Sequence, residues 1–340
     1  MSSATQAGGG KSVNEQAESE VAPSPFIVPL QAIGADDVAL AGSKGARLGE
    51  LLRAGFPVPP GFVVTPVAYD RFVACNHLDE VIVRASREQA SRGATIRDAF
   101  EKALFPAEVK RRILAAYRQL GPGPVAVRSS APAEDLAQTA FAGQYETCLN
   151  VVGQRAVLAA VRRCWASLWN DRAIAYCARQ GMDQAAAKLA VVVQRMVEAE
   201  VAGVMFTVNP VTGAGDEIVI EANPGLGQAV ASGLVTPDRI VLDRRSGQVK
   251  EQRLGRREVI ILARPGGGIE RVDGLATANT PVLPAATIHY LARLGLAIER
   301  HFGCPQDVEW AWADGTLFIL QARPITALPP ASIAGSGEPE

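Results

Sequence analysis

The sequence predicts an α+β protein built as two lobes. Helical and strand-like segments alternate without the repeating βαβ period of a doubly wound sheet. A length of 340 residues corresponds to two domains or lobes at about 150 residues each. Polar clusters stand far apart in the chain, around Arg128 and around Asp307 to Arg323, as they do when a site is assembled between lobes.

The elements follow in chain order. Met1 to Pro23 is polar and rich in Gly, Ser and Ala, with no apolar signal core, so residues 1–24 are expected to be a disordered tail. Residues 44–54 form a predicted helix with Leu48, Leu51 and Leu52 on one face, stopped by Gly55 and Pro57. Phe62 to Thr65 follows as a strand out of a Pro-Pro-Gly turn. Residues 106–120 carry a helical apolar stripe of Val109, Ile113, Leu114 and Tyr117, with Pro106 in the first turn. Val125 to Val127 is a short strand running into polar residues 128–135, and Tyr145 to Leu149 is another strand. Residues 154–180 read as two helices broken near Asn170. Strands are expected at Leu189 to Gln194, Gly203 to Val208 and Glu217 to Glu221, then a helix at 285–302 and a hairpin at 307–322. The Pro- and Gly-containing end, 328–340, reads as a flexible tail. The expected lobes are therefore 25–193 and 194–327.

Composition excludes several classes of function. The net charge is −1, so no bulk attraction to nucleic acid or anionic lipid is implied. No apolar run approaches the ~20 residues of a membrane helix. Five scattered cysteines without a CxxC pair point away from disulfides and zinc, and a reducing cytoplasmic setting is expected. His77, His289 and His301 have no metal-ligand spacing. Gly8 to Ser12 resembles the end of a P-loop, but Thr5 stands where the first Gly is needed.

Four segments carry chemistry. In the predicted hairpin, Asp307 and Glu309 share one face while Val308, Trp310 and Trp312 share the other. A three-residue loop, Ala313 to Gly315, would bring Gln321 and Arg323 onto the acidic face, whereas a two-residue loop would set Glu309 opposite Leu320. Carboxylate and amide oxygens suit Mg²⁺, and guanidinium suits phosphate, so this face fits a metal-bound polyphosphate. Arg128-Ser129-Ser130, at a strand end near Gly143 and Gln144, fits a phosphate cradle. Gly42-Ser43-Lys44-Gly45 places a Lys at a helix N-terminus, where it can reach phosphate. Gln194 to Val197 leaves an apolar strand and could flank a heterocyclic base.

Taken in order, Lys44 to Leu51, Gly61 to Thr65, Val127 to Ala131, Glu134-Asp135, Phe141 to Thr147, Gly203 to Thr207, Asn209-Pro210, Gly225 to Gly227, Asp307 to Trp310 and Gln321 to Pro324 resemble the N-terminal nucleotide-binding domain of the phosphoenolpyruvate synthase and pyruvate phosphate dikinase family. The resemblance covers about residues 26–326. It implies an ATP-grasp-like fold enclosing Mg-ATP between two lobes. Lys44, Arg128 and Arg323 would hold phosphates and carry the catalysis, while Glu309 and Gln321 would bind Mg²⁺. Gln194, Met196 and Val197 would lie along the adenine, Gly143 and Gln144 in a loop over the phosphates, and Glu221 facing the nucleotide.

In this family ATP phosphorylates a histidine on a swivelling domain, which carries the phosphate to a small-molecule acceptor. No segment here resembles that histidine motif. The resemblance therefore implies an ATP-dependent phosphorylating subunit working with a separate histidine-bearing subunit, an arrangement similar to phenylphosphate synthase. The acceptor, phenol, pyruvate or another small molecule, would sit on the partner. Gln228 replaces the carboxylate of the family's GLGE stretch, and this leaves open an ATP-binding regulatory module without phosphotransfer.

Overall fold

The computed structural model describes residues 25–87, 92–132, 145–179, 181, 183–274, 279–326 and 328–329. The expected tail at 1–24 lies outside them, as do residues 330–340 of the expected tail at 328–340, and Gly143 and Gln144. Within the described residues the chain is α+β, with two large antiparallel sheets and helices on their faces.

The first half contains β1 (Ile27–Pro29), α1 (Val38–Arg53), β2 (Gly61–Val64), α2 (Pro66–Cys75), α3 (Leu78–Arg87), α4 (Arg92–Lys102), α5 (Ala107–Gln119), β3 (Val125–Ser130), β4 (Thr147–Val151), α6 (Gln154–Ala166), α7 (Asp171–Arg179) and β5 (Ala190–Arg195). Its strands order as β1-β2-β5-β3-β4. The central strand β5 is apolar throughout its valine run because both of its faces are covered. Val191 and Val193 pack towards the helical layer with Trp165, Phe72 and Phe100. Ala190 and Val192 pack the other way with Leu48 and Leu51 of α1.

The second half contains β6 (Val201–Phe206), β7 (Glu217–Pro224), α8 (Gln228–Ala231), β8 (Asp238–Asp243), β9 (Val249–Arg253), β10 (Val259–Ala263), β11 (Ile269–Asp273), α9 (Ala285–Phe302), β12 (Gln306–Ala313) and β13 (Thr316–Pro324). Its large sheet orders as β13-β12-β6-β7-β8-β9, and β10 pairs with β11 alone. Val308 and Trp310 of β12, Met205 of β6 and Ile220 of β7 join α9 and α1 in one core. That core touches both sheets, so α1 and its neighbours cement the two halves. The opposite face of the second sheet carries Glu221, Asp307 and Glu309.

Two local expectations change. Strand β3 runs on through Ser130, so Arg128 lies within a paired strand, opposite Val192 and Thr147. The hairpin turn has two residues, with Ala313 opposite Thr316. Asp314 and Gly315 adopt φ of +48° and +74°, as a tight turn matched to strand twist requires. A register shift at Glu309/Trp310 then leaves Leu320 as an extra residue, and Glu309 faces Gln321. The bulge does what a longer loop was expected to do, because each shifts the pairing by one residue from that of a plain two-residue turn and so returns Gln321 to the acidic face. Cys148, Cys164 and Cys177 are buried and Cys75 is exposed, all as free thiols. No helix among the described residues is long and apolar enough to cross a membrane.

Candidate nucleotide site

A cavity of about 790 Å³ opens between the two sheets. Its walls include Lys44, Arg128, Gln194, Met196, Val197, Glu221, Glu309, Gln321 and Arg323, which are all the predicted site residues the structure describes.

Lys44 is delivered by a tight joint. Gly42 breaks the start of α1 with φ +67°, and a Cβ there would lie 2.2 Å from the Ser130 carbonyl oxygen. Only glycine allows this approach. The Ser130 hydroxyl donates to the Ala41 carbonyl (2.7 Å) and accepts from the Gly45 amide (3.1 Å). The Ser43 hydroxyl donates to the Pro132 carbonyl (2.9 Å). Gly42 and Gly45, which flank this segment, are buried against the end of β3.

Arg128 crosses the cleft. One terminal nitrogen donates to Glu309 Oε2 at 2.9 Å, and the other to the carbonyl of the bulged Leu320 at 3.0 Å. Only 11% of its side chain is exposed, so this charge-assisted contact is largely shielded from solvent. Its Nε is buried without a hydrogen-bond partner, an unused donor on the cleft wall. Leaving such a group unpaired is costly, and an anionic ligand would supply the missing acceptor.

Arg323, opposite Asp307 in the hairpin, donates through Nε (2.8 Å) and a terminal nitrogen (2.7 Å) to Asp307 Oδ2. Burial pushes the Asp307 carboxyl up; Arg323 opposes this and neighbouring Glu309 adds to it. Glu221 is also raised, chiefly by burial, with Arg239 opposing and Asp307 contributing. Three carboxylates therefore share one face of the second sheet, where Arg323 of that sheet and Arg128 of the first meet two of them.

The oxygen donors of Glu309 and Gln321 face each other across the hairpin, and hard oxygen ligands of this kind fit Mg²⁺. Among the described residues no group of three acidic, His or Cys side chains gathers to hold a metal unaided. Mg²⁺ characteristically keeps waters and phosphate oxygens, so a small protein contribution agrees with that preference.

The other end of the cavity is apolar. Gln194 is buried and donates to the Pro59 carbonyl at 3.2 Å, and the Met196 amide donates to Pro124. Leu149, Met196, Ala199 and Leu226 line this end. Sequence reasoning put Asp307 on the acidic face but did not pair it with Arg323, because that pairing follows from the bulge and not from the expected loop. It also passed over Arg172, which lines the cavity from α7 and carries no distinguishing pattern in the sequence.

Residues 38–335 match the family described as "Pyruvate phosphate dikinase, AMP/ATP-binding domain". The probable phosphoenolpyruvate synthase of Methanothermobacter thermautotrophicus is 43% identical over 317 residues, covering 89% of this chain and 46% of its own length. The phosphoenolpyruvate synthase of Pyrococcus furiosus is 38% identical over 368 residues, covering 92% and 45%. The chain spans about half the length of these curated relatives. A solved D-alanine–D-alanine ligase from Bacillus anthracis superposes with TM-score 0.26 at 9% identity, over 62% of this chain and 46% of that one.

Proposed function

The chain belongs to the pyruvate phosphate dikinase AMP/ATP-binding domain family, with its ATP-grasp-like α+β fold, and from that premise we propose that it uses Mg-ATP to phosphorylate a histidine on a partner subunit. The observation that carries this reading is Arg128, which reaches from the first sheet to Glu309 and Leu320 on the second and so gathers the cleft's charges at one point.

In this reading Lys44 and Arg128 orient the phosphates, and Arg323 neutralises charge that develops on the transferred group. Asp307 holds the Arg323 fork in place. Glu309 and Gln321 would hold Mg²⁺, which supplies charge neutralisation when bound. The imidazole nitrogen forms the new bond to phosphorus as the bond to the nucleotide's leaving oxygen breaks. Catalysis of this kind is mostly positioning and electrostatic stabilisation. The phosphorylated histidine then delivers its phosphate to a small acceptor, phenol, pyruvate or a relative, bound by the partner.

The test pairs the chain with histidine-bearing proteins encoded beside its gene, in Mg²⁺ and β- or γ-labelled ATP. The expected result is acid-labile, alkali-stable label on the partner and ATP consumption that requires it. Binding of ATP with no labelled histidine in any pairing would overturn phosphotransfer and favour a regulatory ATP-binding module, the reading that Gln228 keeps open.

A further inference from the structure

The apolar end of the cleft is backed by the β10–β11 hairpin, which the phosphate chemistry does not use. Its base is tied to the second half of the chain. Asn223 Nδ2 donates to the Val259 carbonyl at 3.0 Å, and the Leu226 amide donates to the Ile261 carbonyl at 2.8 Å. A Cβ on Gly225, which has φ +79°, would come within 2.5 Å of that Ile261 oxygen, so this seam also depends on a glycine.

The tip of the hairpin is tied to the first half. Asn150, at the end of β4, donates through Nδ2 to the Arg264 carbonyl at 2.9 Å and to the Gly268 carbonyl at 2.5 Å. The Gly268 amide donates back to the Asn150 carbonyl at 2.8 Å. Asn150 is only 3% exposed and has φ +52°, a left-handed conformation that Asn tolerates better than most residues. Gly267, at φ +120°, passes with its Cβ position 3.4 Å from the Asn150 oxygen. Between these anchors Val259, Ile261, Leu226 and Ala229 form a separate apolar cluster. Leu149, Met196 and Ala199, which line the cleft, pack directly against it.

We propose that Asn150 is a positioning residue for the nucleotide's base. By clasping the hairpin tip to β4 it holds shut the apolar wall of Leu149, Met196 and Leu226, against which a planar heterocycle lies. The proposal rests on the reading of the cleft as an ATP site. It differs from that reading in concerning only the base: releasing the clasp leaves Lys44, Arg128, Glu309 and Arg323 where they are.

The experiment compares equilibrium binding of Mg-ATP with that of Mg-tripolyphosphate, which has the phosphates and no base. Asn150→Gly keeps the left-handed backbone and the bond from the Gly268 amide, and removes the two side-chain bonds of the clasp. It is expected to weaken ATP binding about tenfold, the scale of losing two hydrogen bonds, and to leave tripolyphosphate binding unchanged. Gly267→Val attacks the same seam from the turn and gives the same selective loss, including where Asn150→Gly fails to fold. Equal loss of both ligands, or no loss of either, overturns the role of Asn150. Failure of the unaltered protein to bind ATP at all overturns the nucleotide reading itself, and the two failures are thereby told apart.

Discussion

The two ends of the cleft join the same two halves of the chain with different physics. At the charged end, a guanidinium from β3 meets a carboxylate and a bulge carbonyl from the β12–β13 hairpin. At the apolar end, a neutral amide from β4 meets two turn carbonyls, with an apolar cluster beneath them. The charged joint is exchangeable. Arg128 and Glu309 each have a better use once phosphate and metal arrive, so a ligand can replace their contact with stronger ones. The apolar joint has no charge to exchange, since neutral amides and backbone carbonyls make it from both sides. One end is therefore suited to respond to a ligand and the other to hold its shape while that happens.

Substitutions can separate the two. The largest effect is expected at the charged end. Arg128→Ala or Glu309→Ala should lower phosphotransfer on the order of 10²-fold or more, measured by single-turnover labelling. Near-normal turnover in either variant would remove these residues from the chemistry. Glu309→Gln keeps an acceptor for Arg128 while removing the charge, so it should stay folded with similar loss of rate.

At the apolar end the expected effect is on stability. Ile261→Ala empties part of the small cluster behind the wall and should cost about 2 kcal/mol in denaturant unfolding. A cost much smaller than this would mean that the hairpin is not a structural member of the cleft.

The smallest effect sharpens the electrostatics. Glu221 is raised by burial, so the folded state holds its proton to higher pH than the unfolded chain does. Between the two pKa values the folded form binds more protons, and stability falls as pH rises through that window. Glu221→Gln removes this loss. It should stabilise the ligand-free protein by less than about 1 kcal/mol after solvent screening, read as a small rise in Tm, with more gain at pH 8 than at pH 5. A gain that shrank as pH rose would contradict the raised carboxyl.

The charged end was the more legible in the amino-acid sequence. Lys44, Arg128, Glu309, Gln321 and Arg323 stand in ordered motifs that carry the family resemblance, and period-two alternation put Asp307 and Glu309 on one face with Val308 and Trp310 on the other, as the strand pairing has them. The helix at 285–302 was likewise written in its periodicity, and it is bounded by Ala285 and Phe302. Less could be read of residues 66–102 and 238–273. Helices α2 to α4 and strands β8 to β11 are short segments whose patterns become distinctive only against their packing partners.

What the sequence determined by itself was local: which residue types occur, where glycines and prolines interrupt, and which side chains share a strand face. These follow from covalent geometry and from periods of 2.0 and 3.6 residues. Tertiary structure decided what local rules leave degenerate. A three-residue loop and a two-residue turn with a bulge at Leu320 place Gln321 on the same face, and the strand pairing chose the second, which also aims a carbonyl at Arg128. Whether Gly42 is a hinge or a lock depended on Ser130, 88 residues away, arriving at its back. Asn150, one residue past the expected strand, carries no signal in the sequence until a turn more than a hundred residues later places its carbonyls against it. Contacts between distant segments obey no sequence period, so the clasp at the apolar end belongs to the fold alone.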